Sequence, residues 1–189
     1  RFPQALTALL TGSVLSVCGL MLQAIFRNPL ADASILGISS GAGLGVACVM
    51  LLFGGGLYIG GLSFGGFAAV FAAALSGALA VTFIMLFLSS VIRNNALLLV
   101  AGVMLGYVTS SVVMLLNFFA SADGILAYVQ WGMGNFSGVS ETMLPLYAAV
   151  SMICIVVSSL LVKPLNLMLI GSRYAENLGV NIKRLRTTI

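Results

Sequence analysis

The chain contains no histidine in 189 residues, so no histidine-ligated metal centre or haem can be built within it. Its three cysteines, Cys18, Cys48 and Cys154, stand apart inside apolar runs and form no C-x-x-C pair, which reads as packing rather than redox or metal chemistry. Charge is scarcer still. Only 6% of residues are charged, against about 25% in a soluble domain. The four acidic residues, Asp32, Asp123, Glu141 and Glu176, all fall between apolar runs. A carrier coupled to protons or sodium usually needs an ionisable group at depth, and none is available here. There is no G-x-x-x-x-G-K-[ST] loop to cradle ATP, and no histidine or paired carboxylate for intramembrane hydrolysis. No cofactor is expected. If a solute moves uphill, the energy must come from another subunit.

What fills the chain instead is hydrophobic: 61% of residues, at a mean hydropathy of +1.19. The runs are long and continuous rather than alternating, so they read as membrane-spanning helices and not as barrel strands. The fold class expected is an all-α integral membrane bundle of about five crossings with short interfacial and cytoplasmic helices. Spans are predicted at about 2–26, 36–53, 64–92, 96–119 and from a cap at Ser140-Glu141 to 162. Gly54–Gly61 reads as a turn. Ile125–Trp131 reads as a short interfacial helix, and Lys163-Pro164 as the stop of the fifth span. The division expected is a bundle over 1–164 and a cytoplasmic segment over 165–189. No signal-peptide pattern is read at the start.

The joint after the first span is Arg27-Asn28-Pro29-Leu30-Ala31-Asp32. Pro29 lacks an N–H and disfavours a helical Asn28, so the first helix should end there. Asp32 or Ser34 is expected to cap the next helix. Gly37, Gly41 and Gly45 then recur every four residues, and Gly102 and Gly106 do so in the fourth span; Gly12 and Gly19 lie on a small-residue face of the first. In lipid such faces admit a second helix closely. Arg27, Arg93 and the basic tail place the odd joints in the cytoplasm, leaving Arg1 as the one exception. The net charge of +4 comes from few residues and speaks to topology rather than to nucleic acid. Thr109, Ser110 and Ser111 can line a path or bond back to their own helix; both readings stand. The basic tail is either a docking surface or a loop held to anionic membrane lipid.

In order along the chain, Arg1-Phe-Pro3, Gly12, Gly19, Gln23, Asn28-Pro29-Leu30-Ala31, Leu36-Gly37 and Gly41-Ala42 resemble the opening signature of the permeases of ABC importers for iron–siderophore complexes, haem and cobalamin. Ala101-Gly102, Trp131-Gly-Met-Gly134 and Leu165-Asn166 through Leu178-Gly179-Val180-Asn181 continue it. Gln4, Ala33 and Ser172-Arg173 depart from it. The chain resembles roughly the first half of such a permease without its first helix. The resemblance implies a homodimer around a central path, two ABC ATPase subunits below and a substrate-binding protein outside. It implies a cytoplasmic gate at Asn28, Pro29, Leu30, Asn94 and Asn95, and a path along the fourth span. It implies ATPase docking through Leu169, Gly171, Tyr174, Ala175, Leu178, Gly179, Val180 and Asn181. The alternatives are a gradient-driven channel or carrier, and a scaffold without a solute.

Overall fold

The computed structural model describes residues 1–52, 56–59, 62–92, 94–134, 136, 141 and 144–179. Its elements are α1 (Phe2–Phe26), α2 (Ile38–Ala47) with a π-helical extension (Cys48–Leu52), β1 (Gly56–Ile59), β2 (Leu62–Gly65), α3 (Phe67–Val91), α4 (Asn95–Phe119), α5 (Ala122–Gly132), α6 (Leu144–Leu160), α7 (Val162–Ile170) and α8 (Ser172–Asn177). Among the described residues, three helices are long and apolar enough to cross a membrane: Phe2–Phe26, Ala68–Val91 and Asn95–Phe119. The pair α6 and α7, bent by 48°, supplies a fourth crossing if taken together. The protein is thus an all-α integral membrane bundle with one added hairpin. Of the Gly54–Gly61 stretch, expected as a turn, the described residues Gly56–Ile59 form the first strand of that hairpin, in which Gly56 pairs with Gly65 and Ile59 with Leu62. The cap expected at Ser140-Glu141 lies largely outside the described residues.

The contacts divide the chain into two compact units, one of Arg1–Asp32 with Asn135–Ile189 and the other of Ala33–Gly134. In the second unit α2 is the hub. With its extension it runs from Ile38 to Leu52, about 22 Å at 1.5 Å per residue, against about 30 Å of hydrocarbon. The expected 36–53 crossing is therefore short. The cap expected from Asp32 or Ser34 is also replaced. The N-cap is Gly37 at φ 76°, a left-handed conformation that strains any residue with a Cβ, and no side chain caps the helix. The Gly37 N–H bonds to the Ser34 carbonyl instead, at 3.0 Å.

Each partner of α2 meets it backbone to backbone. A Cβ on Gly41 would stand 2.7 Å from the Gly77 carbonyl of α3, and one on Gly45 would overlap the Ala73 carbonyl. On the α4 side, a Cβ on Gly102 would stand 2.8 Å from the Ile35 carbonyl. At the far end, a Cβ on Gly124 of α5 would stand 2.9 Å from the Met50 carbonyl in the π-helical extension. Lipid competes for apolar side chains but not for such close backbone packing, which is where helices gain contact in a bilayer. Asn94 caps α4, its side-chain oxygen accepting from Ala96 N–H at 2.9 Å. Ser121 begins α5 in the same way, accepting from Gly124 N–H at 3.2 Å.

In the first unit, α1 ends at Arg27, which takes a left-handed φ of 49°. Thr11 shares a 2.6 Å hydrogen bond with the Tyr147 hydroxyl of α6. Lower down, Met21, Ala24 and Ile25 of α1 form a core with Leu165, Met168 and Ala175. Lys163-Pro164 does not stop α6, as was expected. The break falls at Leu161, and Pro164 sits in the first turn of α7, where its missing N–H has no helical partner to lose. A boundary at 164 consequently cuts through α7, and the segment after it shares its core with α1. On the Gly12 and Gly19 face, a Cβ on either glycine would meet nothing within 4 Å among the described residues.

The two glycine sets should therefore respond oppositely. Gly45→Leu must displace the Ala73 backbone and is expected to cost about 3 kcal/mol, at the upper end of overpacking. Gly12→Leu is expected to change stability by less than about 0.5 kcal/mol. Reversible unfolding in mixed micelles would measure both, and equal losses would contradict the packing described.

Candidate functional site

Where α2, α4 and α5 meet, the second unit carries two neighbouring, outward-open cavities of about 350 and 260 Å³ that share Ser40 and Ser110. The larger is lined by Ser39, Ser40, Gly43, Ser110, Val113, Tyr128 and Trp131. The smaller is lined by Ser34, Ile35, Ser40, Val103, Gly106, Tyr107 and Ser110. The helical register explains the lining from α4, since 103, 106, 107, 110 and 113 fall on one face at 3.6 residues per turn. The Ser34–Gly37 turn lies against Gly102, roughly 10 Å into α4 from its start at Asn95. Irregular backbone at that depth survives in a membrane only against protein or beside a wet cavity, and here it lies against α4 and beside the smaller cavity.

Every polar side chain on these walls is neutral: serine hydroxyls, two phenols and an indole. Tyr128 and Trp131 stack at 6.3 Å between ring centroids, with 24° between their planes. Gly43 leaves room for the Tyr128 hydroxyl, which would stand 3.4 Å from a Cβ there. Burial raises the Tyr128 pKa above the ordinary phenol value, so at neutral pH the hydroxyl keeps its proton and can donate. One further α4 group is unusual: the Asn117 Oδ1 is buried without a hydrogen-bond partner among the described residues.

The three hydroxyls expected along the fourth span separate. Thr109 is buried and bonds back to the Gly106 and Leu105 carbonyls at 2.8 and 3.0 Å. Ser111 is exposed and bonds back to the Tyr107 carbonyl at 2.9 Å. Only Ser110 lines the cavities. Ser39, Ser40 and Tyr128 join it there and were not singled out in the sequence. The signal that could have found Ser39 and Ser40 was their place in Gly37-Ile-Ser-Ser-Gly41, between two glycines of the α2 packing faces.

The residues expected at a gate occupy local turns and a helix start. Asn28 accepts from Leu30 N–H through its side chain at 3.0 Å, and its carbonyl accepts from Ala31 N–H at 3.1 Å. Gln23 donates to the Pro29 carbonyl at 3.0 Å, tying the joint back to α1. Asn94 is the α4 cap, and Asn95 is the first residue of α4. Of the residues expected to dock an ATPase, Leu169 and Leu178 are exposed, each at 55%. Gly171 ends α7, and Gly179 takes a left-handed φ of 86°. Ala175 is wholly buried in the core, which removes its side chain from any docking surface. Tyr174 lies in α8, while Val180 and Asn181 lie outside the described residues.

A family model of the FecCD transport family matches residues 1–189. The chain belongs to the FecCD transport family. Among curated proteins, this FecCD chain is similar to the vitamin B12 import system permease protein BtuC of Klebsiella pneumoniae subsp. pneumoniae. The two are 37% identical over 181 residues, covering 95% of this chain and 52% of that protein. The corresponding protein of Yersinia enterocolitica is 35% identical, covering 96% and 52%. Among solved structures, an inward-facing conformation of an ABC transporter described as of metal-chelate type matches with a TM-score of 0.84. That match is 27% identical and covers 98% of this chain and 56% of the other. The FecCD chain thus spans about half the length of the relatives it matches.

Two outcomes follow for the cavity. In a cysteine-free background, Ser40→Cys and Ser110→Cys should react with a membrane-impermeant thiol reagent, and Thr109→Cys should not; equal labelling of all three would deny a wet cavity. The raised Tyr128 pKa means that its share of stability is present below the unfolded phenol value and is lost as pH climbs through the folded one. Tyr128→Phe should therefore blunt unfolding in the strongly alkaline range, monitored by helix content.

Proposed function

We propose that this chain forms part of the membrane-spanning permease of an ATP-driven importer for iron chelates or cobalamin, in a bacterial inner membrane. What supports this most directly is the uncharged cavity wall on α2, α4 and α5 in a chain whose full length matches the family. Neutral hydroxyls and aromatic faces hydrate and orient a bulky polar chelate without binding it tightly. A charged pocket would retain it, and transport requires release as well as entry. In this reading Ser40 and Ser110, which line both cavities, contact the solute.

In this reading the Asn28–Leu30 turn and the Asn94-Asn95 cap act at the cytoplasmic gate. The exposed residues Leu169 and Leu178, with Gly171, Tyr174, Gly179, Val180 and Asn181, form the surface for a partner ATPase. A second permease copy and a substrate-binding protein complete the importer. The chain brings no phosphate-binding loop, so hydrolysis belongs to the partner.

Co-purification of the complete permease with its ATPase, followed by ATP-dependent uptake of ferric siderophore, haem and cobalamin into vesicles, tests the reading. Uptake of one compound supports it and names the solute. Uptake without ATP, or no ATPase partner, overturns it. Leu178→Glu is expected to weaken ATPase binding by about thirtyfold, as loss of an apolar anchor worth about 2 kcal/mol would. The variant should remain in the membrane, since Leu178 is exposed.

A further inference from the structure

The joint after α1 is tied to one residue of that helix, Gln23. Its carbonyl accepts from the N–H of Arg27, which ends the helix, and from the N–H of Asn28 at 3.2 Å. Its side-chain amide reaches further and donates to the carbonyl of Pro29 at 3.0 Å. Pro29 lies past the helix and has no N–H with which to bond back itself. The Gln23 amide therefore joins α1 to a stretch that the helical ladder no longer reaches.

Beyond that bond the turn is knitted internally. Asn28 takes the Leu30 N–H on its side chain at 3.0 Å and the Ala31 N–H on its carbonyl at 3.1 Å. Asn28 to Ala31 thus moves as one piece. It hangs from α1 through Arg27, whose φ of 49° is uncommon for a residue with a Cβ and persists only where neighbouring bonds hold it. A piece joined to its helix through one such residue can swing, because a few dihedrals at the end of an element absorb the change. The Gln23 amide braces that swing. The bond is exposed, so water can replace it. A buried bond would fix the turn for good, whereas an exposed one can be released and remade.

We propose that Gln23 is the positioning residue of the Asn28–Leu30 turn, its amide holding Leu30 in place until the transport cycle releases the bond. The inference rests on the reading of that turn as a cytoplasmic gate. Leu30, 75% exposed in this chain, is the apolar side chain that the turn carries. Capping of α1 alone does not need the amide, since the backbone bonds of Gln23 serve it. Gln23→Met keeps those bonds and the length of the side chain, and removes the donor. Gln23→Glu offers an acceptor where a donor is required. Gln23→Lys restores a donor.

The test uses the complete permease with its ATPase in proteoliposomes. A spin label on Leu30→Cys, in a cysteine-free background, reports the turn, and ATP hydrolysed per molecule imported reports the gate. Cyanocobalamin, a ferric siderophore and haem are each offered as the solute. Gln23→Met and Gln23→Glu should raise the ratio of mobile to fixed label about fivefold, the shift that loss of one ordinary hydrogen bond allows. Both should raise the ATP hydrolysed per molecule imported, at unchanged amounts of protein in the membrane. Gln23→Lys should return both readouts toward the parent. A label unmoved by Gln23→Met, or Gln23→Lys behaving as Gln23→Met does, would overturn the proposal and leave the gate reading standing. A looser label with unchanged coupling would overturn the gate reading and the proposal with it. Loss of Gln23→Met from the membrane would make the bond a purely structural one and overturn the proposal as well.

Discussion

The Ala33–Gly134 unit depends on close approach of bare backbone around α2. Gly41 and Gly45 meet Gly77 and Ala73 of α3, and Gly102 of α4 meets the Ile35–Leu36 turn. Gly124 of α5 meets the carbonyl of Met50 in the π-helical extension. In water, burial of side chains would hold such a bundle. In lipid that driving force is absent between apolar surfaces, and dispersion at short range has to serve. Dispersion falls off so steeply that a methyl group in the wrong place forfeits the contact. This is why so short a helix can anchor three others.

The cavities follow from that packing. Holding α2 close to α4 at Gly37, Gly102 and Gly106 brings Ser40 and Ser110 to one wall. Seating α5 on the end of α2 brings Tyr128 and Trp131 to the same space. The site is thus polar through hydroxyls and amphipathic rings rather than through charge. A charge at this depth would need a partner or would neutralise itself. Hydroxyls hydrate the space at little cost and can release what they touch.

Much of the fold was legible. α1 spans the residues that hydropathy indicated, and α3 and α4 begin and end within three residues of the expected limits. Apolar runs of that length have few alternatives in a membrane. The misreadings cluster where local chemistry had to choose a boundary. Pro164 was read as a terminator, yet a proline in a first turn starts a helix as readily as it ends one. Asp32 and Ser34 were read as caps, but Gly37 takes the left-handed position that begins α2. The resemblance implies a docking role for Ala175, and only tertiary packing reveals that its side chain is buried.

The sequence by itself determined the solvent, the class and the exclusions. Composition and run length require helices in lipid. This stretch has no histidine and no phosphate-binding loop, and its four carboxylates fall between the apolar runs. The ordered motifs pointed to the family. Tertiary structure decided which hydroxyl is available. Thr109, Ser110 and Ser111 are adjacent and chemically alike. Two of them give their protons to carbonyls one turn back, and Ser110 alone lines the cavities with Ser39, Ser40 and Tyr128. That choice depends on residues some 70 positions apart along a helical chain. It is set by how closely two glycine faces meet, and no local pattern encodes that distance.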